Sequence, residues 1–287
     1  MLLPWALFVS ACWPAAKAPA SQFPSAEPAL EQLRAQHSCS RALRGEAKID
    51  SFSPQGRLKV GALFMLEHPQ SLRLDLLSPL GGTLGTLTSD GARFALLDQK
   101  ERRFYVGSAN QCNIERFLQV PVPPAALAQL MAGEAPVLVH EPNAATIAWS
   151  DGHYRIEIDS RHGAHETIEL EPHASDFAKP YAEQRLRVIR VRVEQQGVTL
   201  YEAELAGYHS GAMATSRIDP FGLDPQVDPS GPVCHVEVPS RIRFNVPVSE
   251  RDVVFESTAL EHNPPLLPES FTQSPPAGVA IKAAPCD

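Results

Sequence analysis

In the run Ser71 to Leu77 the first six residues alternate without a break. Leu72, Leu74 and Leu76 fall on one parity, Arg73 and Asp75 on the other. A period of two marks a β-strand with one face buried and the other wetted. Comparable runs recur at 44–52, 57–67, 83–88, 93–98, 102–106, 153–159, 198–205, 241–244 and 252–257, bounded by turn-forming Gly, Pro, Asn, Asp or Ser. The pattern predicts about ten antiparallel strands. In the run 185–194 the apolar parity changes from Leu186 and Val188 to Val191 and Val193, which predicts a bulge at Val188 and Ile189 and hence a curved sheet. Helical signal is sparse. Residues 28–40 form a short helix with Leu30 and Leu33 on one face, Asn113 caps a turn carrying Ile114, Phe117 and Leu118, and Pro123-Pro124 start a helix over 125–131 that stops at Gly133. Residues 207–232 are polar, rich in Gly and Pro, and read as a long loop. The fold class is mainly β with a few helices (α+β), as a single curved antiparallel sheet with helices on one face. Such a sheet must bury its apolar face. The helices are too short to cover it, which leaves an apolar concavity as a ligand site. A closed sandwich remains the alternative from pattern alone.

The N-terminus bears on the compartment. Residues 2–11 are apolar and end in Val9-Ser10-Ala11-Cys12, which resembles a bacterial lipobox and implies cleavage before Cys12 and its acylation. An ordinary export signal followed by a chance cysteine is the alternative, because no Lys or Arg precedes Leu2. The segment 12–28, rich in Pro, Ala and Ser, reads as a flexible tether, and 29–287 as one domain with a Pro-rich tail. Cys39, Cys112, Cys234 and Cys286 are disulfide candidates. Four cysteines allow three pairings, of which Cys39–Cys112 with Cys234–Cys286 would tie each terminal element to the sheet.

Several function classes are excluded. With 25 Lys and Arg against 33 Asp and Glu, net charge −8, and no basic run, the chain lacks the footprint of a nucleic-acid binder. No apolar run approaches the roughly 18 residues of a membrane-spanning helix. There is no Gly-x-Ser-x-Gly elbow, no phosphate-cradling loop and no His-Glu-x-x-His. His162 and His165 with Glu166 sit at a turn without a distant third ligand, and Asp224 and Asp228 read as solvated loop carboxylates. No enzyme, metal or cofactor is expected.

The stretch from Leu72 carries a resemblance. It runs Leu-Arg-Leu-Asp-Leu-Leu-Ser-Pro-Leu-Gly-Gly, then a strand pair, the aromatic strand Arg103-Phe104-Tyr105, Phe117-Leu118, Pro121-Val122-Pro123, Leu127, Leu130 and Ala132-Gly133-Glu134-Ala135-Pro136. Val238 to Phe244, Asp252 to Phe255 and Asn263 to Phe271 follow in matching order. Together these resemble the LolA/LolB-like lipoprotein-localisation superfamily, and the LolB-like receptors within it most. The insertion at 172–181, the loop 207–232 and the tail depart from that pattern. The resemblance implies a half-open barrel whose helices lid the concave face, and a protein that binds acyl chains of lipoproteins or other amphiphiles and passes them on without a covalent step. An anchored sensor or binding domain of the same fold is the alternative. Leu63 and Met65, Leu72, Leu74 and Leu76, and Tyr154, Ile156 and Ile158 are expected to line the cavity, with plain core as the competing role. Leu80, between Pro79 and Gly81-Gly82, occupies the loop whose leucine in LolB-like receptors is implicated in membrane insertion. Partners would be lipoprotein acyl chains, a membrane reached through the lipid anchor, and a periplasmic carrier protein. Trp13 in place of Asp after Cys12 favours the outer membrane of a Gram-negative bacterium, facing the periplasm.

Overall fold

The computed structural model describes residues 17–216, 221–223 and 226–284. The expected signal peptide, Cys12, Asp224 and Cys286 lie outside them. Helix α1 (Ala26–His37) leads into strands β1 (Ala42–Ser53), β2 (Gly56–Glu67), β3 (Ser71–Leu77), β4 (Thr83–Ser89), β5 (Arg93–Asp98) and β6 (Arg103–Ser108). Helices α2 (Gln111–Leu118) and α3 (Pro124–Met131) follow. The chain then resumes as β7 (His140–Ser150), β8 (His153–Ser160), β9 (Ala164–Pro172), β10 (Leu186–Gln195), β11 (Val198–Ser210), β12 (Ala212–Met213), β13 (Glu237–Val246), β14 (Arg251–His262) and β15 (Ala280–Ala283).

All the strands join one curved, unclosed sheet in the order β15-β6-β5-β4-β3-β2-β1-β14-β13-β11-β10-β9-β8-β7, with β12 beside β14. The closed sandwich is thereby excluded. The sheet is antiparallel except where β15 joins β6 and β12 joins β14, both parallel. The expectation of a wholly antiparallel sheet is corrected at those two short additions. The bulge falls between Val188 and Arg190, where the parity change put it.

Six hairpins, β1–β2, β3–β4, β5–β6, β8–β9, β10–β11 and β13–β14, turn at the same edge of the sheet. We call this edge the rim. The turns 68–70, 90–92 and 151–152 lie at the opposite edge, the base.

Two helical layers fill the concave face. The first, α1, has Glu27 in its first turn and Arg34 in its last, charges that suit the helix dipole. Leu30 and Leu33 are buried, and the Gln36 side chain exchanges two hydrogen bonds with the backbone of Leu186 at 2.7 and 3.0 Å, docking α1 on β10. The second layer is the pair α2 and α3. Asn110, rather than the expected Asn113, caps α2, its side chain accepting the Asn113 N–H. Pro124 opens α3, and Gly133, at φ +81°, ends it. A Cβ on Gly133 would stand 3.0 Å from Pro239 and 3.3 Å from His37, so a larger residue would strain the backbone and press on both neighbours.

The disulfide joins Cys39 to Cys234, with Cα atoms 5.2 Å apart, in place of the expected Cys39–Cys112 and Cys234–Cys286 pairs. The cause is local. The Asn263 side chain donates to the carbonyls of both Cys39 and Pro232, at 2.8 and 2.6 Å, drawing the end of α1 and the approach to β13 together. Cys112 of α2 is disulfide-bonded as well.

Candidate functional site

Between α2–α3 and the sheet lies an apolar cavity of about 50 Å³. Its wall is Leu72, Leu74 and Leu76 of β3, Ile49 of β1, Val60 of β2, and Phe244, Val253 and Phe255 of β13 and β14. The helical layer supplies Ile114, Leu118, Val120, Val122, Leu127 and Met131. Among the described residues that line it, only Ser51 and Gln119 bring polar side chains. The volume admits a few waters, far below the roughly 300–1,000 Å³ of a ligand pocket. An acyl chain would therefore enter only if α2–α3 moved away from the sheet. The wall that such a movement uncovers is already apolar.

The layer is latched at the rim by few bonds. Ser51 donates to the Gln119 side chain at 3.2 Å, and Arg251 reaches Glu115 at 3.4 Å and the Gln119 carbonyl at 3.5 Å. Leu58, beside Ser51, lines the cavity yet is 49% exposed, so it marks the mouth. At the base the layer ends among buried titratable groups. Glu134 approaches His68 at 3.7 Å, and burial pushes its carboxyl up to about 7. Burial pushes His37 down to about 4, helped by His68 and His262, and lowers His68 and His262 too. These groups favour their neutral forms, and His37 Nδ1, His68 Nε2 and His262 Nε2 make no hydrogen bond.

The expected lining residues divide into three sets. Leu72, Leu74 and Leu76 line the cavity. Leu63 and Met65 do not: they pair with Asp75 and Arg73, on the convex face, and line an open groove of about 380 Å³ with Arg44, Glu46 and Glu261. Residues directly opposite across a strand pair share a face. The unbroken apolar run from Ala62 to Leu66 hid this parity. Tyr154, Ile156 and Ile158 face inward but are fully buried core of the other half, under α1 and the segment leading to it. Phe23 meets the Tyr154 ring edge-on at 5.3 Å, and the Tyr154 hydroxyl bonds to Gln184. His165 pairs with Asp159 on the outer surface, whereas Glu166 is buried inside, so the two diverge. Among the described residues no group of three His, Cys, Asp or Glu could hold a metal ion.

Leu80 is 98% exposed, on a turn closed by Gly81 N–H to Ser78 O at 2.9 Å, with Gly81 at φ +84°. It projects at the rim, the edge where the cavity has its mouth. The sequence reading missed Leu58, Ser51 and Gln119 at that mouth. A signal for Leu58 was present: it shares the parity of Val60 and Ala62.

Residues 43–172 match the model of a family described as outer membrane lipoprotein LolB. No curated protein matches the sequence. Among solved structures, a LolA superfamily protein from Nitrosomonas europaea superposes with a TM-score of 0.55 at 11% identity, over 88% of this chain and 99% of the other. A DUF1329 family protein from Desulfovibrio piger gives 0.53 at 11%, over 86% and 95%. An outer membrane lipoprotein-sorting protein domain from Vibrio parahaemolyticus gives 0.51 at 9%, over 85% and 95%. At these identities the structures speak to the fold.

Proposed function

The chain is a LolA/LolB-like protein, and on that premise we propose that it takes acyl chains of lipidated proteins under α2–α3 and passes them into the outer membrane from its periplasmic face. The observation that carries this reading is the position of the cavity. It is walled almost wholly by aliphatic and aromatic side chains, and its mouth lies at the edge from which Leu80 projects. Uptake begins with release of the rim latch made by Ser51, Gln119, Glu115 and Arg251. The helical layer then swings out from its rim end, and the acyl chain takes the place of its side chains against β1–β3. Each buried methylene contributes about 0.8 kcal/mol, so the exchange of helix for acyl chain can run close to balance. Near balance is what a carrier needs, since a receiving membrane offering equal burial can then draw the chain out.

Leu80 enters the receiving bilayer and opens a path for that transfer. Its insertion contributes about 1.5–3 kcal/mol, enough to orient the domain and too little to hold it there. Attachment falls to Cys12, acylated after signal removal. No step makes or breaks a covalent bond, so neither a catalytic residue nor a cofactor is required. The test is Leu80→Glu. Because the side chain is almost fully exposed, the variant should fold and take up a fluorescent fatty acid as the parent does, while transfer of a lipopeptide into liposomes fails. Normal transfer by a folded Leu80→Glu protein would refute the role of the loop.

A further inference from the structure

Leu80 is one of a row. Along the sheet, the pairs β4–β3, β2–β1, β14–β13 and β11–β10 are consecutive neighbours, and each turns at the rim. Each of these four tips carries an exposed apolar side chain, Leu80 at 98%, Phe52 at 58%, Val248 at 69% and Val198 at 45%, with Leu84 and Leu58 just behind the first two. Eight strands at about 4.8 Å spread the four side chains over some 30 Å of edge. They stand singly on separate turns, so they form an interrupted line in place of a continuous patch. Folding gives none of them a core to join. At the base the tight turns 68–70, 90–92 and 151–152 include Asp90 and Asp151 and carry no exposed large apolar side chain, while the longer connections there carry Phe221, Leu223, Val233 and Leu267.

Charge is uneven along the rim. On one flank the β5–β6 tip carries Lys100 and Arg102, for which no ion pair is found among the described residues, and Arg103 paired with Glu101. On the other flank the β8–β9 tip carries Arg161 paired with Glu141, then His162, and the exposed Asp159 paired with His165. Glu250, at the β13–β14 tip, is the exposed acid within the row. A chain of net charge −8 thus leaves Lys100 and Arg102 as cations without an ion pair on one flank of its apolar tips. Single apolar side chains beside unpaired cations match a bilayer, where each side chain finds its own space among acyl chains and each cation a phosphate. A protein partner would select for a contiguous patch.

We propose that the rim is a docking edge for an anionic phospholipid bilayer, with Phe52, Val248 and Val198 entering the interface beside Leu80 and with Lys100 and Arg102 contacting lipid phosphates. The proposal rests on the carrier reading and extends it. The edge that docks also holds the cavity mouth, so an acyl chain leaving between Leu58 and Gln119 meets lipid directly.

The test uses the full chain carrying Cys12→Ala, so that no acyl anchor contributes, and vesicles of phosphatidylcholine with or without phosphatidylglycerol. Flotation reads vesicle binding, and fluorescent fatty-acid titration reads cavity uptake separately. The parent should bind the phosphatidylglycerol vesicles better, and salt should weaken that binding. Phe52→Ser with Val248→Ser should lower binding to both vesicles by about tenfold or more. Lys100→Glu with Arg102→Glu should remove the preference for phosphatidylglycerol. Fatty-acid uptake should match the parent in both variants. Unchanged vesicle binding by the Phe52→Ser, Val248→Ser protein, or equal binding of the parent to both vesicles, would overturn the docking edge. Loss of docking with uptake intact, and absence of uptake in the parent, are separate results: the first supports the edge, and the second removes the carrier reading beneath it.

Discussion

The same substitution placed at two depths of one wall separates cavity from core. Leu74 and Leu58 both line the space under α2–α3, yet Leu74 is 2% exposed and Leu58 is 49% exposed. Leu74→Glu gives up about 1.5–3 kcal/mol of apolar burial and adds a buried carboxylate without a designed partner, at several kcal/mol more. That total approaches the whole stability of an ordinary domain, so the variant should be unfolded or nearly so. Leu58→Glu gives up about half of a leucine's burial, roughly 1 kcal/mol, and its carboxylate remains in water. A loss of about 1 kcal/mol moves the melting temperature of a chain this size by some 2–4 °C. For Leu58→Glu it is uptake that should respond. An acyl chain passing the mouth would strip water from the new carboxylate, and a penalty of about 3 kcal/mol lowers affinity roughly a hundredfold. Thermal melting by circular dichroism and titration with a fluorescent fatty acid read the two quantities on one sample. Parent-like affinity in a Leu58→Glu protein that melts within a few degrees of the parent would refute entry beneath α2–α3. A fully folded Leu74→Glu protein would show that the wall is not packed as core.

Two further outcomes follow from buried groups. Glu166 is fully buried, one oxygen accepting the Leu138 N–H at 2.9 Å and the other unpaired, and burial pushes its carboxyl up to about 8. The native state therefore keeps the proton while the unfolded chain releases it near 4.5, so stability falls as pH rises from about 4.5 to about 8, by up to roughly 5 kcal/mol. Glu166→Gln should abolish that component, and the difference between its urea-unfolding profile and the parent's should widen steadily from pH 5 to pH 8; parallel profiles would refute the neutral carboxyl. The Cys39–Cys234 bond closes a loop of 195 residues, for which chain entropy gives about 5 kcal/mol. The double variant Cys39→Ala, Cys234→Ala should show a correspondingly lower urea midpoint, and an unchanged midpoint would refute a structural role for the bond.

The sequence by itself determined the strands, the sheet class and the turn at Leu80, because these are local. Alternation from Leu72 to Leu76 admits one structure, and Pro79 with Gly81 admits one kind of turn. The bulge near Val188 was equally legible, since a change of apolar parity has few other causes. Where the local signal was silent the reading went astray. Ala62 to Leu66 is apolar at every position, so nothing in the run says that Phe64 faces inward and Leu63 outward; pairing with Leu74 and Asp75 decides it. Tyr154, Ile156 and Ile158 read like any buried strand face, and only the docking of α1 and Phe23 over them made them core instead of cavity. Cys39 met Cys234 through the side chain of Asn263, far from Cys39 in sequence. The rim was also beyond reach of the sequence, although Phe52, Leu80, Val198 and Val248 each lie at a recognisable turn. Strand order, which is fixed by long-range hydrogen bonding and by closure of a shared core, is what carries four separate turns to one edge.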